Sequence, residues 1–135
     1  MNARKKNRVM IADDEYHVRK YVRAIMEQMN SEIVGEAKDG KEAGEMFARL
    51  KPNLLLLDIN MPAKSGKNAL QEIMARFPAA FVIMLTGLSD RETIEECLEL
   101  GASGFIRKDV TIDEFKETIK QSWHVYKAAL TALQK

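Results

Sequence analysis

The side chains able to do chemistry stand at comparable places along the chain, each closing or shortly following an apolar run. Asp13, Asp14 and Glu15 follow the run 9–12, and Asp58 follows four leucines at 54–57. Thr86 follows the uncharged run 79–85, and Lys108 comes two residues after Ile106. Carboxylates held close raise one another's pKa and are stable together mainly when a cation neutralises them. With no Cys or His beside them they favour a hard ion such as Mg²⁺, which takes one or two carboxylates and keeps waters for a phosphoryl group. Asp13 or Asp14 with Asp58 could hold that metal. A carboxylate oxygen of Asp58 could attack a phosphorus centre, with the Thr86 hydroxyl and the Lys108 ammonium stabilising charge on the transferred group. Taken singly, each residue has a plainer reading. Asp13 and Asp14 could be acids in the first turn of a helix, Asp58 the end of a strand, Thr86 a loop hydroxyl and Lys108 a solvated surface amine. Only their occurrence together departs from that.

The elements between them alternate in kind. Strand-like apolar runs lie at 8–12, 32–37, 54–57, 81–85 and 104–106. Helix-period segments lie at about 16–29, 41–50, 67–77, 90–100 and from 111 onward. In the first helix Val18, Val22, Ile25 and Met29 recur at helical spacing. The runs 54–57 and 81–85 lack alternation, as strands buried on both faces of a parallel sheet do. Asp39 with Glu42, Ser89 with Glu92, and Thr111 with Glu114 read as helix-start signals. Gly101 sits where a helix C-terminal cap would, and Pro52 and Pro78 close helices before the next strand. The fold class predicted is α/β, a doubly wound (βα)5 parallel sheet with right-handed crossovers. In such sheets chemistry gathers at the carboxyl ends of the strands, where the five residues above fall.

Length and composition narrow the function classes. A chain of 135 residues is one domain's worth, and 46% hydrophobic with 30% charged residues is ordinary for a globular fold. With 21 Lys and Arg against 20 Asp and Glu, the chain lacks the positive field that drives direct nucleic-acid binding. Residues 1–7 read as a basic tail, since the apolar run at 9–12 is too short for a signal peptide. The run 79–85 is far too short to cross a bilayer. Cys97 is the single cysteine, which excludes an internal disulfide or a thiolate cluster and reads as a packed thiol. The expected location is cytoplasmic. His17 and His124 stand alone and read as surface or partly packed histidines, and the eight methionines mostly as core filling.

From about residue 8 to 121 the sequence closely resembles the receiver domain of two-component response regulators. The residues that carry the resemblance are Val-Met-Ile-Ala-Asp13-Asp14-Glu, Leu-Leu-Leu-Leu-Asp58-Ile-Asn-Met-Pro62 with Ser65-Gly66, Leu-Thr86-Gly, Gly-Ala-Ser-Gly-Phe-Ile-Arg-Lys108, and Lys38-Asp39-Gly40-Lys41-Glu42-Ala43. The resemblance implies a flavodoxin-like sheet of order 2-1-3-4-5. It implies that Asp58 accepts a phosphoryl group from a histidine kinase or phosphotransfer protein, so that the chain is a switch rather than an enzyme with a separate substrate. Mg²⁺ would be held by Asp13, Asp14, Asp58 and the main-chain carbonyl of Asn60. Thr86 and Lys108 would bind the phosphoryl oxygens. Phe105 would follow Thr86 and alter the face made by helix four, strand five and helix five, through which the chain could act on a partner or a second copy.

The sequence departs from the family where Asp109 replaces the usual proline after the lysine. A trans bond is expected there, since cis costs about 3 kcal/mol without proline. Asp109 also places another negative charge near the site, or serves as a loop acid before the last helix. Phe105 has no hydroxyl, so a hydrogen-bonded form of the aromatic switch is excluded. Asn60 and Leu88 occupy positions that tune dephosphorylation in the family. In the last helix Phe115, Ile119, Ser122, Tyr126, Ala129 and Leu133 step by four and three, carrying the pattern through 122–135 past the usual end of a receiver. This extension either pairs with a second subunit or output domain, or packs Trp123, Tyr126 and Leu130 back on its own domain.

Three other readings compete. A phosphatase of the haloacid dehalogenase type wants an acid two residues after the nucleophile, where Asn60 stands. A flavin-binding domain of the same topology wants a phosphate-cradling loop where Asp13, Asp14 and Glu15 would repel one. A metal-independent pseudo-receiver would not need all five signature residues.

Overall fold

The computed structural model describes residues 6–87 and 91–133. Five strands and five helices alternate: β1 (Asn7–Ala12), α1 (Tyr16–Gln28), β2 (Ser31–Ala37), α2 (Gly40–Leu50), β3 (Leu54–Asp58), α3 (Gly66–Arg76), β4 (Val82–Thr86), α4 (Arg91–Glu99), β5 (Gly104–Arg107) and α5 (Ile112–Leu133). The strands form one parallel sheet of order β2-β1-β3-β4-β5, as the resemblance implies. The order reverses between β1 and β3, so those two strands deliver their last residues to the same crevice.

Alternation along the strands divides the core in two. Val9, Ile11, Leu54, Leu56, Ile83, Leu85 and Ile106 face α1 and α5, where Val22, Ile25, Phe115 and Ile119 meet them. Met10, Ala12, Leu55, Leu57, Val82 and Met84 face α2, α3 and α4, against Phe47, Leu70, Ile73 and Cys97. Every residue of β3 and β4 is buried, so covering both sheet faces explains runs without alternation.

The helix-start signals behave as their chemistry requires. Asp39 Oδ1 accepts from the Glu42 N–H at 2.8 Å, while Glu42 reaches back to the Lys38 N–H at 3.0 Å. Thr111 Oγ1 accepts from the Glu114 N–H at 3.1 Å. The signal at Ser89, Leu88 beside it and residues 1–5 of the basic tail lie outside the described residues. Gly101 takes φ +118° at the end of α4, a conformation that favours glycine. Element ends shift by about one residue: β1 begins at Asn7, so the tail stops short of it, β2 begins at Ser31, β4 at Val82, and β5 runs to Arg107. Phe81 keeps its carbonyl on the Leu55 N–H at 2.9 Å but turns its ring to α5.

That turn decides the fate of the last helix. α5 continues without a break past Gln121. Phe81 stacks on Tyr126 with ring centroids 4.6 Å apart and meets Trp123 at 5.6 Å. The Tyr126 hydroxyl donates to the Ala79 carbonyl at 2.7 Å. The extension therefore packs back through Trp123 and Tyr126, while Ala129, on the expected four-and-three stripe, is exposed. Replacing Tyr126 by Ala should cost about 2–3 kcal/mol, from the lost ring contacts and hydrogen bond. Val125→Ala, at an exposed position, should stay within about 0.5 kcal/mol. Urea unfolding followed through Trp123 fluorescence measures both, and equal effects would show that the extension is not seated.

Candidate acidic site at the strand ends

Asp13 directly follows β1, Asp58 and Thr86 end β3 and β4, and Lys108 directly follows β5. Parallel pairing brings these four ends to one edge. The Lys108 N–H donates to the Thr86 carbonyl at 2.8 Å, tying the last two ends together. Lys108 is no solvated amine. Its side chain is 19% exposed, and Nζ lies 2.7 Å from Asp13 Oδ2 and 3.2 Å from Asp58 Oδ2.

Both acids are buried and held. The Asp13 N–H donates to the Ala37 carbonyl at 3.0 Å, and Asp13 Oδ1 accepts from the Glu15 N–H at 2.9 Å. Asp58 Oδ1 accepts from the Asn60 N–H at 3.2 Å. Gly66 packs against the Asp58 peptide so closely that a Cβ there would come within 1.8 Å of its carbonyl oxygen. The Gly66 N–H also donates to the Ile59 carbonyl at 2.8 Å. The loop after the acid can close only around a glycine.

One carboxylate oxygen from each of Asp13, Asp14 and Asp58 falls in a group no wider than 4.8 Å, with Asp14 exposed at its mouth. Burial pushes the Asp58 carboxyl up to about 6, the charge of Asp13 adds to this, and Lys108 and the Asn60 N–H only partly oppose it. Burial works against the Lys108 ammonium, but Asp13 and Asp58 outweigh it and hold its pKa above the ordinary value. At the end of β4, Thr86 Oγ1 is buried and has no hydrogen-bond partner among the described residues, a state that costs energy unless something completes it.

The sequence-predicted residues thus converge: Asp13, Asp14, Asp58, Thr86 and Lys108 share one edge. Phe105 stands opposite Met84 in the β4–β5 ladder and is 38% exposed. By alternation it shares a sheet face with Thr86, two residues on from Met84. The Lys108–Asp109 peptide is trans. Of the two readings of Asp109, the contacts favour the loop acid: its carboxylate makes a two-point contact with the Arg107 guanidinium, at 3.1 and 3.0 Å. Arg107 holds its pKa below the usual range, so it stays ionised and paired with that guanidinium. Sequence reasoning missed Arg19. This guanidinium is buried, 6% exposed, and donates from Nη1 to the Asp13 carbonyl at 2.9 Å. The available signal was its spacing, three residues before Val22 on the buried face of α1.

Residues 9–120 match the family model described as the response regulator receiver domain. The chain belongs to the response regulator receiver family. This receiver is 42% identical over 101 residues to the protein CcdB of Bacillus subtilis, covering 75% of this chain and 84% of that protein. It is 32% identical over 115 residues to the chemotaxis protein CheY of Listeria monocytogenes, covering 85% and 97%. In three dimensions it superposes on a chain of the CheX–CheY–BeF3–Mg complex from Borrelia burgdorferi with TM-score 0.83. That pair is 28% identical, with 87% of this chain and 89% of that one covered. The receiver's acidic pocket is one that could hold a metal ion. Among the described residues no helix is long and apolar enough to cross a membrane.

Electrostatics of the receiver pocket give a signed pH dependence. The folded chain holds the Asp58 proton more tightly than the unfolded chain does. Stability from this group is therefore present at low pH and lost as pH rises from about 4 through 6, by about 3 kcal/mol. Asp58→Asn should flatten that decline and raise the urea midpoint at pH 7.5 in EDTA. Parallel pH curves for the two proteins would refute the burial of this charge.

Proposed function

We propose that this receiver accepts a phosphoryl group on Asp58 from a phosphohistidine of a histidine kinase or phosphotransfer protein, and works as a switch rather than as an enzyme with a separate substrate. The observation that carries the proposal is the Lys108 ammonium, placed between the Asp13 and Asp58 carboxylates, with the buried Thr86 hydroxyl, which has no partner among the described residues, at the end of the next strand. A Asp58 carboxylate oxygen attacks phosphorus, the phosphorus–nitrogen bond breaks and the imidazole leaves with its electron pair. Lys108 shifts from Asp58 to a phosphoryl oxygen, and Thr86 donates its free hydroxyl to another. Water attack on the acyl phosphate restores the carboxylate.

Asp13, Asp14, Asp58 and the Asn60 carbonyl form an all-oxygen donor set that suits Mg²⁺. Bound there, the ion would supply positive charge against the carboxylates and the phosphoryl oxygens. The related chain from Borrelia burgdorferi, in a complex with BeF3 and Mg, supports this assignment. Residues 8–121 form the receiver in this reading, and 122–135 an extension of its last helix. Drawn to the phosphoryl group, Thr86 leaves room for Phe105 to move in from its half-exposed place. The surface of α4, β5 and α5 changes as it does. That shift is the signal read by a downstream protein in the cytoplasm, and its size must be a few kcal/mol.

Intact mass after incubation with Mg²⁺ and acetyl phosphate tests the first step. The wild type should gain one phosphoryl group and Asp58→Ala none. An adduct retained in Asp58→Ala, or repeated turnover of a phosphate monoester, would overturn the reading. Thr86→Ala should still be phosphorylated but lose the accompanying change at Phe105, read as a fluorine resonance from fluorophenylalanine at that position. A full resonance shift in Thr86→Ala would remove Thr86 from the switch.

A further inference from the structure

Asp13 is the most constrained acid of the pocket, and the constraint on its main chain comes from a charge that the phosphoryl chemistry does not use. Arg19 lies one turn into α1 and is almost wholly buried. A buried guanidinium is costly unless its donors are met. Its Nε donates to Glu36 Oε1 at 3.0 Å and its Nη1 to the Asp13 carbonyl at 2.9 Å. Glu36 is itself aimed, because Arg23 Nε donates to its other oxygen at 3.1 Å. Burial would raise the Glu36 pKa, but Arg23 and Arg19 outweigh it and keep the carboxyl below its ordinary value, hence charged.

Planarity gives this geometry its consequence. The Asp13 carbonyl and the Asp14 N–H belong to one rigid peptide unit. Arg19 grips that unit on its carbonyl side, and the preceding Asp13 N–H is held by Ala37, the residue after Glu36. Rotation of the unit is what would swing the Asp13 and Asp14 carboxylates relative to each other. The Glu15 N–H holds the Asp13 carboxylate at 2.9 Å, but Glu15 makes no side-chain capping bond, so the grip on the Asp13 carbonyl itself comes from Arg19.

We propose that Arg19, aimed by Glu36, is a positioning residue that locks the Asp13–Asp14 peptide and so presets the two carboxylates for a divalent cation. This rests on the receiver reading above. Outer partners of metal ligands tune affinity in this way, and losing one weakens binding by about tenfold to a hundredfold. Lysine keeps the charge of arginine but not the planar fork that reaches Asp13 and Glu36 together. The experiment is Mg²⁺ titration by isothermal calorimetry on the full chain, paired with acetyl phosphate phosphorylation rates over a range of Mg²⁺ concentration. Arg19→Lys should weaken Mg²⁺ binding by about tenfold or more, yet reach the wild-type rate at saturating Mg²⁺. Glu36→Gln should weaken it in the same direction, and decides the matter should Arg19→Lys fail to fold. Arg23→Lys, one contact further from Asp13, should bind Mg²⁺ more nearly as the wild type does. If Arg19→Lys and Glu36→Gln lower the urea midpoint but bind Mg²⁺ as the wild type does, the network is structural and the proposal falls. A reduced rate at saturating Mg²⁺ would also overturn it, by moving the role from binding to transfer. If the wild type itself neither binds Mg²⁺ nor takes up phosphate, the receiver reading fails first, and that result is distinct from the others.

Discussion

Two carboxylates, Asp13 and Asp58, are buried against each other at the end of a parallel sheet, and the ammonium of Lys108 is the charge that faces both. Mutual repulsion and burial raise the Asp58 pKa, while the same acids strengthen the hold on the Lys108 proton. The arrangement destabilises the fold at neutral pH relative to an uncharged isostere. On the proposed reading, a cation or a phosphoryl group entering the pocket would return that cost. The Thr86 hydroxyl, without a partner among the described residues, belongs to the same imbalance. A pocket that is incomplete in charge and hydrogen bonding is one that responds to a charged ligand.

Such a pocket requires a rigid surround, and each wall has its own device. The ladder places the strand ends, with the last contact made by Lys108 to the Thr86 carbonyl. Gly66 lets the loop after β3 close against the Asp58 peptide. Arg19 and Glu36 fasten the turn after β1. These groups lie outside the set that would touch phosphorus. Lys67 and Glu96 form an ion pair between α3 and α4, so the helix that begins at Gly66 is linked to the next one. Both partners are substantially exposed, which limits the strength of that link.

The opposite end of the sheet is closed differently. Phe81, Trp123 and Tyr126 form an aromatic group where α5 runs past the domain's edge. Met26, Met29, Pro52 and Leu130 line a depression of about 440 Å³ beside it. This packing gives the extended helix an intramolecular role at the end of the sheet opposite the acidic pocket. Sequence spacing allowed two stripes on this helix, through Ala129 or through Leu130. The choice between them came from the Phe81 ring meeting Trp123 and Tyr126, which no local pattern announces.

Much of the site was legible in one dimension because parallel α/β sheets obey strong rules. Apolar runs without alternation mean strands covered on both faces, and such strands present their carboxyl-end residues together. Asp13, Asp58, Thr86 and Lys108 could therefore be grouped from their places after four runs. Residue types then limited the chemistry to a hard cation and a phosphoryl group. Arg19 escaped because a lone arginine in an amphipathic helix looks like a surface charge until its partners are known. Those partners are a main-chain carbonyl and Glu36, seventeen residues away on another strand. Asp109 carried two readings in the sequence, and its contact with Arg107 at the end of β5 favours the loop acid. The sequence by itself determined the order of elements and the residues at the strand ends, which follow from periodicity and side-chain type. Tertiary structure alone decided which charges meet, how deeply the Thr86 hydroxyl is buried and where α5 lies, because those depend on distances between segments that pattern cannot encode.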